Sequence, residues 1–146
     1  MFSRILEIKN IRELKAGLSK REAELIQPTL TDINLVGKLY EWYKEILTTQ
    51  GSEWKDNILR RKKFIFIVLY LYCPEALAGG RMKYRLREKI AEALSINRNN
   101  SISNDLNNIV FSYQVYKDYR QDVDNIYGEI VRRLKMEGYI NEQSEK

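Results

Sequence analysis

Residues 64–73 read Phe-Ile-Phe-Ile-Val-Leu-Tyr-Leu-Tyr-Cys and form the longest apolar run in the chain. Such a run has to be buried, and the manner of its burial decides the fold. Its aromatic and β-branched content favours a strand. A strand needs a neighbour for its backbone N–H and C=O groups, and no second segment of this character occurs in the sequence. A helix satisfies those groups internally. The run is therefore expected to be the second half of a helix from Glu53 to Tyr72, enclosed on all sides at the centre of an all-α fold. It is too short to cross a bilayer core of about 30 Å as a helix, so no membrane partner is expected.

The remainder of the chain reads as helices around that centre. With 146 residues, only 7 glycines and only 2 prolines, the chain is long enough for one core and poor in turn formers. Val36, Leu39, Tyr40, Tyr43, Ile46 and Leu47 recur at helical spacing behind a Thr31 or Asp32 cap, with Leu35 and Trp42 on a neighbouring stripe. Gln50-Gly51-Ser52 closes that helix, and Ser52 is placed to cap the next. Ser19-Lys20-Arg21-Glu22 has the capping-box pattern and predicts a short helix that Pro28 ends. Residues 2–17 are read as helix, with a strand or a docking arm as alternatives. Pro74-Glu75-Ala76-Leu77 predicts one helical turn, broken by Gly79-Gly80. Helices from Met82 to Leu94, Ile102 to Lys117 and Tyr119 to Met136 follow, the last closed by Gly138. The expectation is a compact bundle of about six helices. It divides into an N-terminal helical segment over 1–50, a helical core over 53–140, and a polar tail over 141–146. Within the core, residues 82–117 form a helix-turn-helix-like segment.

Charge is unevenly placed. The net charge is +5, yet between Arg60 and Arg98 ten basic residues face three acids, a surplus of seven that leaves the rest of the chain at −2. A positive field of this kind suits a polyanion. The single cysteine, Cys73, excludes an internal disulfide and is read as a buried reduced thiol. Met1 to Glu7 carries charges too often to be a signal peptide, so a cytoplasmic protein is expected. The chain has no histidine, which removes the common general base, the Ser-His pair and most zinc sites. Gly79-Gly80 lacks the Lys-Ser or Lys-Thr of a phosphate loop. The chain is read as a non-enzyme with no catalytic residue, cofactor, metal or small-molecule substrate.

Ile90-Ala91-Glu92-Ala93-Leu94-Ser95-Ile96, the turn Asn97-Arg98-Asn99-Asn100-Ser101, and Ile102 to Ile109 resemble the helix-turn-helix of prokaryotic and phage DNA-binding proteins. Ala91, Leu94, Ser95 and Ile96 carry the match. Ser95 stands where that family has glycine, and the turn is one residue longer than the family pattern. Ala91 lets two helices approach, and Leu94, Ile96, Ile102, Leu106 and Ile109 would fill the angle between them. The resemblance implies a duplex-DNA partner. Ser103, Asn104, Asn107 and Asn108 would face base edges, with Ser101 at the head of the helix. Arg81, Lys83, Arg85, Lys89, Arg98 and Lys117 would contact phosphates. Asp105, near the proposed groove face, opposes phosphate. Two further stretches, Tyr72 to Met82 and Phe111 to Tyr119, are similar to proteins of phages and integrated elements of gut bacteria, which implies a mobile-element origin and assigns no activity.

Plainer readings stand beside these. Ser101, Ser103 and Asn104 also suit a simple helix N-terminus. Arg60-Arg61-Lys62-Lys63 is read as a solvated helical turn in preference to a phosphate site. Tyr113, Tyr116, Tyr119 and Tyr127 are read as core or rim, Trp42 and Trp54 as core, and Asp118, Asp122 and Asp124 as solvated in preference to a cation site. Two functions remain open: a small DNA-binding regulator of a phage or mobile element, and a phage structural or assembly protein. The latter would be a homo-oligomeric helical component or a terminase-like packaging subunit.

Overall fold

The computed structural model describes residues 1–49, 51, 53–96 and 100–141, without the side chains of residues 100, 101 and 103–105. Among the described residues the chain is all-α, with seven helices and no strand. These are α1 (Ser3–Leu25), α2 (Val36–Thr49), α3 (Ile58–Tyr72), α4 (Pro74–Leu77), α5 (Leu86–Leu94), α6 (Asn100–Val115) and α7 (Lys117–Met136). A 3-10 turn, Ile33–Leu35, leads into α2. No helix among them is long and apolar enough to cross a membrane.

The apolar run is helical, and α3 is the hub. It packs against α2, α4, α5, α6 and α7. Phe64, Ile65, Ile67, Val68, Leu69, Leu71 and Tyr72 are buried, Phe66 is half-buried, and Tyr70 is exposed. The helix begins at Ile58 rather than Glu53, because Asn57 takes the cap: its Oδ1 accepts from the Arg60 N–H at 2.8 Å. Ser52 lies outside the described residues. Tyr43 on α2 donates its hydroxyl to the Arg60 carbonyl at 2.7 Å and thereby fixes α2 against the first turn of α3. Trp42 is buried and Trp54 packs against the same core.

At its other end, α3 holds the chain that enters α2. The N–H groups of Thr29 and Leu30 both donate to the Leu71 carbonyl, at 2.8 and 2.9 Å, and the Tyr72 hydroxyl donates to the Asp32 carbonyl at 2.6 Å. Asp32 accepts from the Asn34 N–H and so caps the turn before α2. Cys73 is a buried free thiol that donates to the Arg81 carbonyl at 3.3 Å. Helix α7 closes the bundle with Tyr119, Val123, Ile126, Ile130, Val131 and Leu134 turned inward. It ends at Gly138, whose positive φ of 80° permits the return bond from the Tyr139 N–H to the Leu134 carbonyl at 2.9 Å.

Helix α1 differs from all the others. It is one continuous helix through Ser19, so the capping box does not start an element there: those N–H groups already have intrahelical partners. Every residue from 1 to 25 is exposed.

Burial raises the pKa of several tyrosines, pushing Tyr113 and Tyr119 up to about 12 and Tyr43, Tyr72 and Tyr127 further. The folded chain holds these protons to higher pH than the unfolded chain does. The tyrosine contribution to stability is therefore constant well below the ordinary value of 10.0 and falls as pH rises from there toward about 12. The Tyr119 hydroxyl is buried without a hydrogen-bond partner. Tyr119→Phe is expected to be neutral or stabilising at neutral pH and to shrink the alkaline loss, as read by denaturant unfolding across that range. A destabilised Tyr119→Phe would contradict this.

Candidate nucleic-acid interface

Helix α5 is held by Leu86, Ile90, Ala91 and Leu94, all buried, and packs mainly along α2. It ends on Ser95, which adopts the left-handed conformation with φ 57° and ψ 41°. The Ile96 N–H returns to the Ala91 carbonyl at 2.9 Å and the Ser95 N–H to the Glu92 carbonyl at 3.1 Å, the paired bonds of a Schellman turn. The sequence resemblance marks this residue as the glycine position. Glycine is common there because left-handed backbone strains any Cβ, and serine adopts the conformation here. Ile96 then packs against the core.

After the turn, α6 lies against α3 and α7. Ile102 and Ile109 are fully buried, and Leu106 and Tyr113 are half-buried on the same side. Asn107, Asn108, Phe111, Gln114 and Val115 are exposed on the other. The residues expected to fill the helix angle are turned into the common core, where α5 meets chiefly α2 and α6 meets chiefly α3 and α7, and two of the four expected outer residues, Asn107 and Asn108, are exposed. Ser103 and Asn104 belong to the same helix, but their side chains, with that of Ser101, lie outside the described residues, as does Arg98.

The basic residues separate into two groups. Lys83 is a tether: its ammonium donates to the Thr31 carbonyl at 2.6 Å and sits 5.8 Å above the Tyr72 ring. Arg85 is exposed, also in the left-handed region, with its Nε 3.7 Å from the Glu88 carboxylate. Arg81 and Lys117 are exposed, and Lys89 is half-buried. Of the upstream basic run, three members are committed to the fold. Arg60 donates to the Lys55 carbonyl at 2.7 Å and lies over the Trp54 ring. Arg61 pairs bidentately with Asp56, holding that carboxyl below its ordinary pKa. Lys63 pairs with Asp122.

Arg120 has a role that sequence reasoning missed. Its guanidinium donates to the carbonyls of Tyr113 and Gln114, each at 3.1 Å, and so caps the end of α6. The signal was available, since a basic residue a few positions past a helix end favours this bond. A second missed feature is a cleft of about 500 Å³ between α3, α6 and α7, lined by Phe66, Tyr70, Tyr113, Tyr127 and Val131. The Tyr113 hydroxyl donates to Asp124 at 2.7 Å at its edge. Among the residues taken as core or rim, Tyr119 is buried, Tyr113 and Tyr127 are half-buried, and Tyr116 is exposed. Asp122 and Asp124 each have a partner on this side of the molecule, and Asp118 is exposed.

Compared with known proteins, the chain matches no family model, no curated protein and no solved structure.

Because Ser95 is left-handed, Ser95→Gly is expected to stabilise the fold by up to about 1 kcal/mol. An alanine there retains the strain, and no side-chain hydrogen bond of Ser95 is seen among the described residues, so Ser95→Ala should lie near wild type. Thermal unfolding of the two variants checks the order, and a glycine variant less stable than the alanine one would contradict it.

Proposed function

We propose that this chain is a small duplex-DNA-binding protein that uses the α5–α6 corner as its reading element. The observation that carries the proposal is the left-handed Schellman turn at Ser95. It ends the helix that carries Ala91 at the position where the resembling family places glycine, and the following helix buries Ile102 and Ile109 and exposes Asn107 and Asn108. In this reading the outer face of α6 enters the major groove. Asn107 and Asn108, with Ser103 and Asn104 from the turn before, supply short donors and acceptors for base edges. Arg81, Arg85, Lys89, Arg98 and Lys117 supply phosphate contacts, with Ser101 at the head of the helix, where free N–H groups also favour phosphate. A cytoplasmic regulator of a phage or mobile element is the biological role that fits.

One observation favours a second reading, a structural or assembly component: the wholly exposed helix α1. The two are separated by measuring duplex binding against salt. Binding at or tighter than the ordinary non-specific range, about 10⁻⁴ to 10⁻⁶ M, with affinity falling as salt rises, supports DNA recognition. Lys89→Ala and Lys117→Ala should each weaken binding on all sequences and reduce the slope by about 1, whereas Asn107→Ala should alter sequence preference with little change in slope. Absence of both affinity and slope overturns the reading.

A further inference from the structure

Helix α1 has 23 residues, spanning about 34 Å at the usual rise, and not one of them is buried. Helices in proteins gain most of their stability from packing, and this one has Gly17 near its middle, which weakens it further. Ile5, Leu6 and Ile8 lie on other faces of the helix, but four of its apolar residues are aligned. Ile11, Leu14, Leu18 and Leu25 recur at intervals of three, four and seven, so they form one stripe, and Leu14, Leu18 and Leu25 are each at least 60% exposed. Glu7 extends the same stripe at its N-terminal end, Arg21 interrupts it between Leu18 and Leu25, and Arg4 and Glu22 share one edge of it.

The charges at the ends of α1 oppose its own dipole. The first turn has no acid and carries Arg4; the last turn has no base and carries Glu22 and Glu24. A lone helix is destabilised by that arrangement, since its N-terminal end is partly positive and its C-terminal end partly negative. A second copy lying antiparallel reverses the effect. With the twofold axis near Leu14, that leucine meets the partner's Leu14 and Ile11 lies beside the partner's Leu18. Glu7 then faces the partner's Arg21, and Arg4 approaches the partner's Glu22. A parallel pair would instead set Glu7 against Glu7 and Arg21 against Arg21.

We infer that α1 is a dimerisation helix that pairs antiparallel with α1 of a second copy of this chain, centred on Leu14. The inference does not depend on DNA binding. It goes beyond that reading by assigning the occupant of the exposed stripe.

The test uses the full chain in sedimentation equilibrium. Wild type should be a dimer. Leu14→Glu with Leu18→Glu should be monomeric with an unchanged near-ultraviolet spectrum, because neither side chain touches the core. Glu7→Arg should weaken the dimer tenfold or more, and adding Arg21→Glu to it should restore the wild-type affinity. A wild-type monomer at concentrations up to about 1 mM overturns the inference. So does a dimer that survives the double glutamate substitution, or a charge swap that fails to restore pairing. Duplex affinity is measured on the same samples: a dimer without it removes only the DNA reading, and a monomer with it removes only this one.

Discussion

Helix α3 touches α2, α4, α5, α6 and α7 at once, so each is positioned by the strip of α3 that it covers. Burying Phe64, Ile67, Val68, Leu69 and Leu71 almost completely requires neighbours on every side of one helix. At about 25 cal/mol per Å² of apolar surface, that burial is a large favourable contribution to the fold. It carries an electrostatic cost at one end. Arg60, Arg61, Lys62 and Lys63 sit in the first two turns of α3, where the helix dipole opposes positive charge. The structure answers with Asp56 beside Arg61, Asp122 beside Lys63, and backbone carbonyls around Arg60. Lys63 is more enclosed than Arg61, and its partner belongs to α7, so the ion pair also sets where α7 crosses the head of α3.

The α5–α6 corner inherits its geometry from that centre. Helix α6 rests on α3 through Phe66 and Tyr113, whose rings stack 4.6 Å apart, and on α7 through the Tyr113–Asp124 bond and the Arg120 cap. Helix α5 rests on α2, which is fixed to α3 through Tyr43. The two helices are thus held by different partners, and few contacts join them directly. Their relative angle depends on the turn at Ser95 and on the shared support beneath.

Much of this was legible in the sequence because it follows from local chemistry. The absence of a partner strand decided the state of Phe64 to Tyr72 against its own propensity. Proline at the start of α4, glycine after α7, and the inward faces of α2 and α7 are read from spacing alone. The failures have a common cause. Ser19 and Glu22 satisfy the capping pattern, but a cap forms only where N–H groups are free, and in α1 they are not. Ser52 competed with Asn57 to start α3, and the rule for caps does not rank two candidates five residues apart. Helices α6 and α7 part at Tyr116, one residue before Lys117, because Tyr116 takes an extended conformation that no side chain signals. The end of α5 at Leu94 is legible, but Asn100 and Ser101, expected in the turn, already belong to α6, and the left-handed backbone at Ser95 belongs to the fold rather than to the residue type, since serine has no preference for it.

Charge along a sequence is not charge available to a partner. Ten basic residues between Arg60 and Arg98 suggest a broad positive field. Arg60, Arg61, Lys63 and Lys83 are bound to carboxylates or carbonyls of the chain itself, and Arg85 lies beside Glu88. What remains for phosphate is a short set at the edges of the α5–α6 corner, while the outer face of α6 is neutral over its described length. In the DNA-binding reading, a single corner of this kind would release few counterions, so its binding to a duplex would be weak and only moderately salt-dependent. Two corners carried by one antiparallel pair of α1 helices add their slopes if both engage the same duplex, and they bind the second site at the effective concentration set by the first. If both proposals hold, the exposed helix and the modest charge of the corner have one physical solution in common, a twofold particle in which dimerisation would supply the affinity that each corner lacks.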